Sequence, residues 1–232
     1  MMLLILAKRP EPGRAKTRLA PWVGPEGAAE LAAAALADTF AAARASTVDR
    51  VVVAFDGDPS GVVPVQFEVI PQRSGTLAER LAGAWDDVGE GGLQIGMDTP
   101  QVTGADLDRA FDALDRGPGG SALGPAADGG WWAIGLRRPV DGVFAGIATS
   151  RSDTGARQLA RLEALGLPPV LLPLQRDVDE PADALAVARD APHTRFAAAV
   201  RHAIDRHGPP HAAPRTALSH GSVAGRQPVA AS

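Results

Sequence analysis

Short apolar runs alternate with longer stretches of helical periodicity along the first half of the chain. The short runs are rich in β-branched or other apolar residues and stop at polar or turn-forming residues, which predicts strands. The predicted strands are 2–7, 50–55, 65–71 and 93–97. The predicted helices are 27–44, 76–88 and a stretch that Thr103 caps at its amino end. Regular alternation of strand and helix predicts a parallel sheet.

The second half of the chain is less regular. The predicted elements are short strands at 122–124, 131–136 and 169–174, and a helix at 152–165. Prolines at both ends of 169–174 indicate an edge strand, and short helices are expected after it. From Gly208 onward the chain is rich in small and polar residues with nothing large and apolar to bury. We therefore expect one domain over 1–207 and a flexible tail over 208–232.

The composition is that of an ordinary globular protein: 232 residues, 45% of them hydrophobic, with a net charge of −4. An acidic balance gives no general attraction to nucleic acid. The absence of cysteine excludes disulfides, thiolate metal sites and cysteine nucleophiles. The apolar start is too short to span a bilayer and lacks a preceding basic region, so we expect no signal peptide, no membrane span and a cytoplasmic location.

A strongly basic loop follows the first predicted strand. Residues 8–18 carry five cations, two prolines and Gly13. A buried parallel strand would hold this loop at the carboxyl edge of the sheet, where ligands of open α/β sheets bind. Lysine, arginine and a close backbone approach at glycine suit a phosphate ligand, whereas the alternative is a solvated surface turn. The loop lacks the glycine spacing of a P-loop.

Two aspartates are candidate metal ligands. Asp98 stands where an apolar strand stops before Pro100, so its carboxylate should project from the same edge as the basic loop. Magnesium needs only a few carboxylates beside phosphate oxygens and water, and Asp179, in an acidic turn after another strand, is a natural companion. The alternatives are a turn or cap aspartate at 98 and a residue stabilised by the helix dipole at 179.

A third group is a candidate for binding a base, a sugar or an acceptor. Asp128 precedes Gly129 and Gly130, whose missing side chains would let a ligand or a backbone approach closely. Trp131 and Trp132 follow, and they could stack on a base or sugar, although tryptophans at a strand start also serve as packing residues.

Three ordered motifs carry a resemblance to a known family. They are Lys8-x-Pro10-x-Pro12-Gly13-x-x-Lys16-Thr17-Arg18-Leu19, 95–100 and 124–136. Between about Leu3 and Leu185 the chain resembles the bacterial radical-SAM/selenodomain-associated, or arsenosugar-type, transferases of glycosyltransferase-A fold. That family is similar to phospholactate guanylyltransferase and molybdenum-cofactor guanylyltransferase.

The resemblance implies a three-layer α/β/α sandwich with a mostly parallel sheet. It implies that the first loop receives nucleotide phosphates, that Asp98 binds magnesium and that Asp179 is a second metal ligand. The segment 72–80 looks like the family's Gly-Asp-Leu-Gly-x-Arg stretch, which would put Gly75 and Arg80 on the nucleotide side. Thr76 and Ala78 replace the Asp and Gly of that stretch.

The leading functional hypothesis is nucleotidyl transfer from a nucleoside triphosphate to a small phosphorylated or hydroxyl acceptor. Lys16 and Asp98 would be catalytic, and Mg²⁺ or alternatively Mn²⁺ would bridge the phosphates. The phosphate-binding residues would be Lys8, Gly13, Lys16 and Arg18. One rival is a glycosyltransferase that uses a nucleotide sugar, and another is a nucleotide-binding domain without catalysis. The base, the acceptor and the oligomeric state stay open.

Overall fold

The computed structural model describes residues 1–149 and 151–210. Its strands are β1 (Met2–Lys8), β2 (Arg50–Asp56), β3 (Glu68–Pro71), β4 (Gly92–Ile95), β5 (Ser121–Pro125), β6 (Trp131–Leu136) and β7 (Val170–Leu171). Its helices are α1 (Ala20–Ala45), α2 (Leu77–Val88), α3 (Gly104–Arg116), α4 (Thr154–Ala164), α5 (Pro181–Asp190) and α6 (Arg195–His207). No helix in these two ranges is long and apolar enough to cross a membrane.

The strands form one sheet in the order β3-β2-β1-β4-β6-β5-β7. All neighbouring strands are parallel except β6, which runs antiparallel to both β4 and β5. The central strand β1 is buried on both faces, which explains its continuous apolar sequence. Because β1 and β4 are parallel, their carboxyl ends lie at the same edge of the sheet.

Alternate residues of β1 pack into two different hydrophobic clusters, one on each face of the sheet. Leu3 and Ile5 pack with α1 and α3, whereas Met2 and Leu4 pack with α2 and α4. The far side of α1 is covered by α5 and α6, which bury Phe196 and complete a third cluster. The predicted three-layer α/β/α arrangement with a mostly parallel sheet is therefore confirmed.

The predicted helix starts are confirmed where a threonine precedes the helix. The side chains of Thr76 and Thr103 each accept a hydrogen bond from the backbone N–H three residues later. The side chains of Glu79 and Asp106 accept one from the backbone N–H of the threonine. The first helix begins earlier than the predicted 27–44, with a kink at Gly24, whose φ is 73°.

The two edge strands are shorter than predicted. At one edge the strand expected over 65–71 begins only at Glu68, because Val65 is fully exposed and contacts no core. At the other edge the predicted strand 169–174 is reduced to the two residues of β7, and its edge position is confirmed. The expected tail over 208–232 lies almost wholly outside the described residues.

Candidate active site

The loop between β1 and α1 directs the side chain of Lys16 into the protein interior. Ala15 and Leu19 are buried and anchor the loop on either side of Lys16. Lys16 has a positive φ of 46°, a conformation that costs a non-glycine residue about 1–2 kcal/mol. Its side chain is only 8% exposed. The strained backbone at Lys16 therefore accompanies the burial of its ammonium group.

The buried ammonium lies between the two predicted metal ligands. Lys16 Nζ is 2.6 Å from Asp98 Oδ1 and 3.6 Å from Asp179 Oδ1. It also donates a hydrogen bond to the carbonyl oxygen of Val178. Arg18 reaches Asp179 from the other side at 3.4 Å. The basic loop and the two aspartates, which are far apart in the sequence, thus meet at one point.

A backbone contact holds the two acidic segments together. Asp98 follows β4 at the carboxyl edge of the sheet, and its carbonyl oxygen accepts a hydrogen bond of 2.9 Å from the N–H of Val178. Val178 is fully buried, so the turn that carries Asp179 is anchored in the core just before α5 begins. Both carboxylates remain a little under half exposed and can accept a ligand from solvent.

Asp177 is a third acid at this point, and the sequence analysis did not select it. Burial, followed by the charges of Asp98 and Asp128, raises the pKa of Asp177 to about 8. Its Oδ1 atom is buried and has no hydrogen-bond partner in the part of the chain that the structure describes. Burial alone would lower the pKa of Lys16, but the carboxylates around it outweigh that effect and raise it. The ammonium is therefore charged at neutral pH and holds an excess of acids together.

A cavity of about 340 Å³, which we call the basic cavity, opens beside this cluster. The cations that line it are Lys8, Arg14, Lys16, Arg18 and Arg80. Lys8 Nζ donates to the carbonyl oxygen of Arg14 at 2.8 Å, and Arg80 donates to the Gln72 side chain at 3.0 Å. The Nε atom of Arg80 is buried and has no partner among the described residues.

A second cavity, which we call the acidic cavity, has a volume of about 660 Å³ and shares Asp98, Asp179 and Arg18 with the basic cavity. The acids that line it are Asp98, Asp128, Asp177, Asp179, Glu180 and Asp183. Trp131 lines it too, and its ring stacks on Phe144 with centroids 6.2 Å apart. Two cavities of opposite charge therefore meet at the predicted metal ligands.

The Asp128 turn has a structural as well as a positional role. Asp128 accepts a hydrogen bond from Gly130 N at 2.8 Å. Gly129 has a φ of 90°, and a Cβ atom there would lie 2.0 Å from the carbonyl oxygen of Ser152. The backbone of Ser152, rather than a ligand, takes the space that the glycine leaves. Trp132 is buried and donates to Pro173 O, so Trp131 is the tryptophan whose ring remains half-buried at the cavity.

The remaining predicted residues take varied positions. Gly13 forms a turn of the basic loop with a φ of 77° and open space beside it. Gly75 lies just before α2, whose residue Arg80 lines the basic cavity, but it does not line either cavity itself. Arg9, one of the five loop cations, points away and donates to the carbonyl oxygen of Asp58 at 2.6 Å.

Residues 1–149 and 151–210 contain no group of three or more His, Cys, Asp or Glu side chains that could hold a metal ion. The candidate metal pair, Asp98 and Asp179, would thus depend on phosphate oxygens or water to complete a coordination sphere. That donor set, two hard carboxylates beside a cationic cavity, suits Mg²⁺ or Mn²⁺ bound together with a nucleotide.

Residues 30–151, just over half of the chain, match the model of a family described as an uncharacterized protein conserved in bacteria, DUF2064. The chain belongs to this family. No protein of curated function matches the sequence of this DUF2064 member.

Solved structures share the fold. A provisionally assigned nucleotide-diphospho-sugar transferase from Desulfovibrio desulfuricans G20 is 26% identical, with a TM-score of 0.77 over 89% of this chain and 97% of that one. CMP:2-keto-3-deoxy-manno-octonic acid synthetase complexed with CTP is 14% identical, with a TM-score of 0.50 over 81% and 99% of the two chains. The DUF2064 chain therefore has the fold of nucleotide-diphospho-sugar transferases.

Proposed function

We propose that this protein is a divalent-metal-dependent transferase that acts on a nucleotide donor, by nucleotidyl transfer from a nucleoside triphosphate to a small acceptor. The observation that carries the proposal is the set of five cations around the basic cavity, adjacent to Asp98 and Asp179. A triphosphate offers more negative charge than the diphosphate of a nucleotide sugar, and so matches this number of cations better. The resemblance of the sequence motifs to those of guanylyltransferases and arsenosugar-type transferases supports this proposal.

Each residue has a role that follows from its position. Asp98 and Asp179 would hold Mg²⁺ or Mn²⁺, which would supply Lewis-acid stabilisation of charge on the phosphates. Lys8 and Arg18 would contact the phosphates of the donor, with Gly13 shaping the loop. Lys16 would leave the two carboxylates to the metal and neutralise charge on the leaving pyrophosphate.

Arg80 adds a further contact. Its guanidinium is fixed by Gln72, whose own side-chain nitrogen donates to Ala7 O at 2.7 Å and Ala54 O at 2.9 Å, at the ends of β1 and β2. The buried Nε of Arg80, which has no partner within 1–149 and 151–210, gives the basic cavity a donor that a phosphate or a base could satisfy. Gly75, just before the same helix, would act by shaping the approach to α2.

The proposal is tested by pyrophosphate release from each nucleoside triphosphate with Mg²⁺ and a broad acceptor panel. We expect turnover with at least one base, and a loss of about 10²-fold or more for Asp98→Asn. Asp112→Asn, an exposed change on α3, is the matched control and should retain activity. Silence across all four bases, with the fold intact, would refute nucleotidyl transfer.

Glycosyl transfer is the second candidate, favoured by the 26% identical Desulfovibrio protein of provisional nucleotide-diphospho-sugar transferase assignment. Asp98 and the metal would then stabilise a nucleoside diphosphate leaving group. Calorimetry separates the two, because metal-dependent binding of nucleotide sugars without binding of triphosphates would favour glycosyl transfer. A domain without catalysis would bind nucleotide yet retain its cellular function after Asp98→Ala.

A further inference from the structure

The two cavities that meet at Asp98 differ sharply in charge. Among residues 1–149 and 151–210, five cations line the basic cavity, whereas six Asp and Glu side chains and two arginines, Arg18 and Arg151, line the acidic cavity. We propose that the acidic cavity binds an acceptor that carries hydroxyl groups and no anionic group, such as an uncharged polyol or sugar. This inference rests on the proposed function. It narrows the acceptor from phosphorylated or hydroxyl compounds to hydroxyl compounds without a phosphate.

The two arginines of the acidic cavity are already engaged by carboxylates. Arg18 contacts Asp179 at 3.4 Å, and Arg151 contacts Asp153 at 3.1 Å. An acceptor phosphate would have to displace one of these carboxylates. Even with a divalent cation on Asp98 and Asp179, it would face the carboxylates of Asp128, Glu180 and Asp183. Lys16 and Arg18 of the basic cavity also contact carboxylates, but there five cations face only two lining carboxylates, so positive charge remains for the donor. The charge distribution therefore directs polyphosphate to one cavity and disfavours a second anion in the other.

The remaining lining suits hydroxyl groups. The ionised carboxylates of this cavity accept hydrogen bonds and so match the O–H donors of a polyol or sugar. Asp177, whose pKa is raised to about 8, is protonated at neutral pH and can donate to a hydroxyl oxygen as well. Trp131 lines the same cavity, and its orientation is fixed by stacking on Phe144. An aromatic surface next to acceptor oxygens allows an apolar ring face and polar edges to be recognised together.

The reaction implied by this arrangement balances without any further reagent. The acceptor hydroxyl oxygen forms a bond to the α-phosphorus, and the bond from that phosphorus to the α–β bridging oxygen breaks. Pyrophosphate leaves with the electron pair of the broken bond. The hydroxyl proton passes to a carboxylate of the acidic cavity and then to solvent.

Matched acceptor pairs that differ by one phosphate test the inference. Pyrophosphate release is measured with glycerol against glycerol 3-phosphate, and with glucose against glucose 6-phosphate. We expect kcat/KM to be at least about tenfold higher for the neutral member of a productive pair, which corresponds to one unfavourable charge contact. A preference for the phosphorylated member would overturn the inference.

A binding measurement keeps the inference testable even if no turnover occurs. Saturation-transfer NMR compares the members of each pair on the full chain with Mg²⁺ and a non-hydrolysable triphosphate. Binding of a neutral member that Trp131→Ala abolishes supports the inference, and absence of neutral binding overturns it. Nucleotide affinity, measured separately by calorimetry, reports on the proposed function alone, so the two failures are distinguishable.

A charge variant adds a second test. Asp128→Asn keeps the acceptor atom that bonds to Gly130 N but removes one negative charge from the acidic cavity. The ratio of neutral to phosphorylated acceptor use should fall about tenfold. Asp112→Asn, on the exposed face of α3, should leave the ratio unchanged. An unchanged ratio in Asp128→Asn would contradict the role given to this charge.

Discussion

Replacing Lys16 with methionine separates two roles of its ammonium group: competition with a metal ion for the carboxylates, and contact with the donor triphosphate. The ammonium contacts Asp98 and Asp179 at 2.6 and 3.6 Å, so it uses the same carboxylate oxygens that a divalent cation would need. Lys16→Met keeps the length of the buried stem and removes the charge. We therefore expect the variant to bind Mn²⁺ alone more tightly, and a triphosphate less tightly, than the wild-type protein.

The size of both effects follows from the contacts. A hydrogen bond to a charged group is worth about 1.5–3 kcal/mol, and about 1.4 kcal/mol changes a binding constant tenfold. Loss of the Lys16 contact should therefore weaken triphosphate binding by roughly 10- to 100-fold. Removal of the competing ammonium should strengthen Mn²⁺ binding by about the same order, since only one of the two cations can occupy the carboxylates.

Electron paramagnetic resonance of free Mn²⁺ measures the metal affinity, and calorimetry measures the triphosphate affinity. Lys8→Met is the matched control, because Lys8 Nζ donates to the carbonyl oxygen of Arg14 and forms no ion pair with a carboxylate of residues 1–149 or 151–210. It should weaken triphosphate binding and leave the Mn²⁺ affinity unchanged. If Lys16→Met leaves Mn²⁺ affinity unchanged or lowers it while the fold is intact, the competition argument is refuted.

Two stability predictions follow from the backbone and from a helix cap. Gly129→Ala should lower the free energy of unfolding by more than the roughly 1–2 kcal/mol of left-handed strain, because its Cβ would also clash with backbone. Denaturant titration compares it with Gly166→Ala, a position of similar φ that has open space around it. Equal losses of stability in the two variants would contradict this prediction. Burial raises the pKa of Asp106, but hydrogen bonds from Thr103 outweigh burial and lower it. The cap therefore stabilises the protein above the unfolded pKa, and that stability is lost as pH falls below about 4. Asp106→Ala should cost about 1 kcal/mol at pH 7 and less in acid, whereas a loss independent of pH would refute the linkage.

The central part of the fold could be predicted because its signals are local. A strand buried on both faces must be apolar throughout, as Met2–Lys8 largely is, and threonine caps mark two helix starts. The direction and place of β6 could not be predicted in the same way. It enters the sheet between β4 and β5 as an antiparallel strand, and strand pairing depends on packing between residues distant in sequence.

The site was predictable to the extent that strand ends define it. Lys16 and Asp98 follow two parallel strands that are neighbours in the sheet, so their loops had to emerge at one edge. Asp177 and Arg151 lie on segments whose return to this edge depends on long-range packing. One local signal for Asp177 existed, because a single apolar residue, Val178, lies between Asp177 and Asp179 in the sequence. In the structure Val178 is fully buried and both aspartates line the acidic cavity.

The central claim is that the basic cavity and Asp98 together hold a metal–nucleotide complex. Calorimetric titration of the wild-type protein and of Asp98→Asn with a non-hydrolysable triphosphate, with and without Mg²⁺, tests it most directly. We predict that Mg²⁺ strengthens binding to the wild-type protein at least about tenfold and has little effect on the variant. Equal affinity in all four titrations would contradict the account.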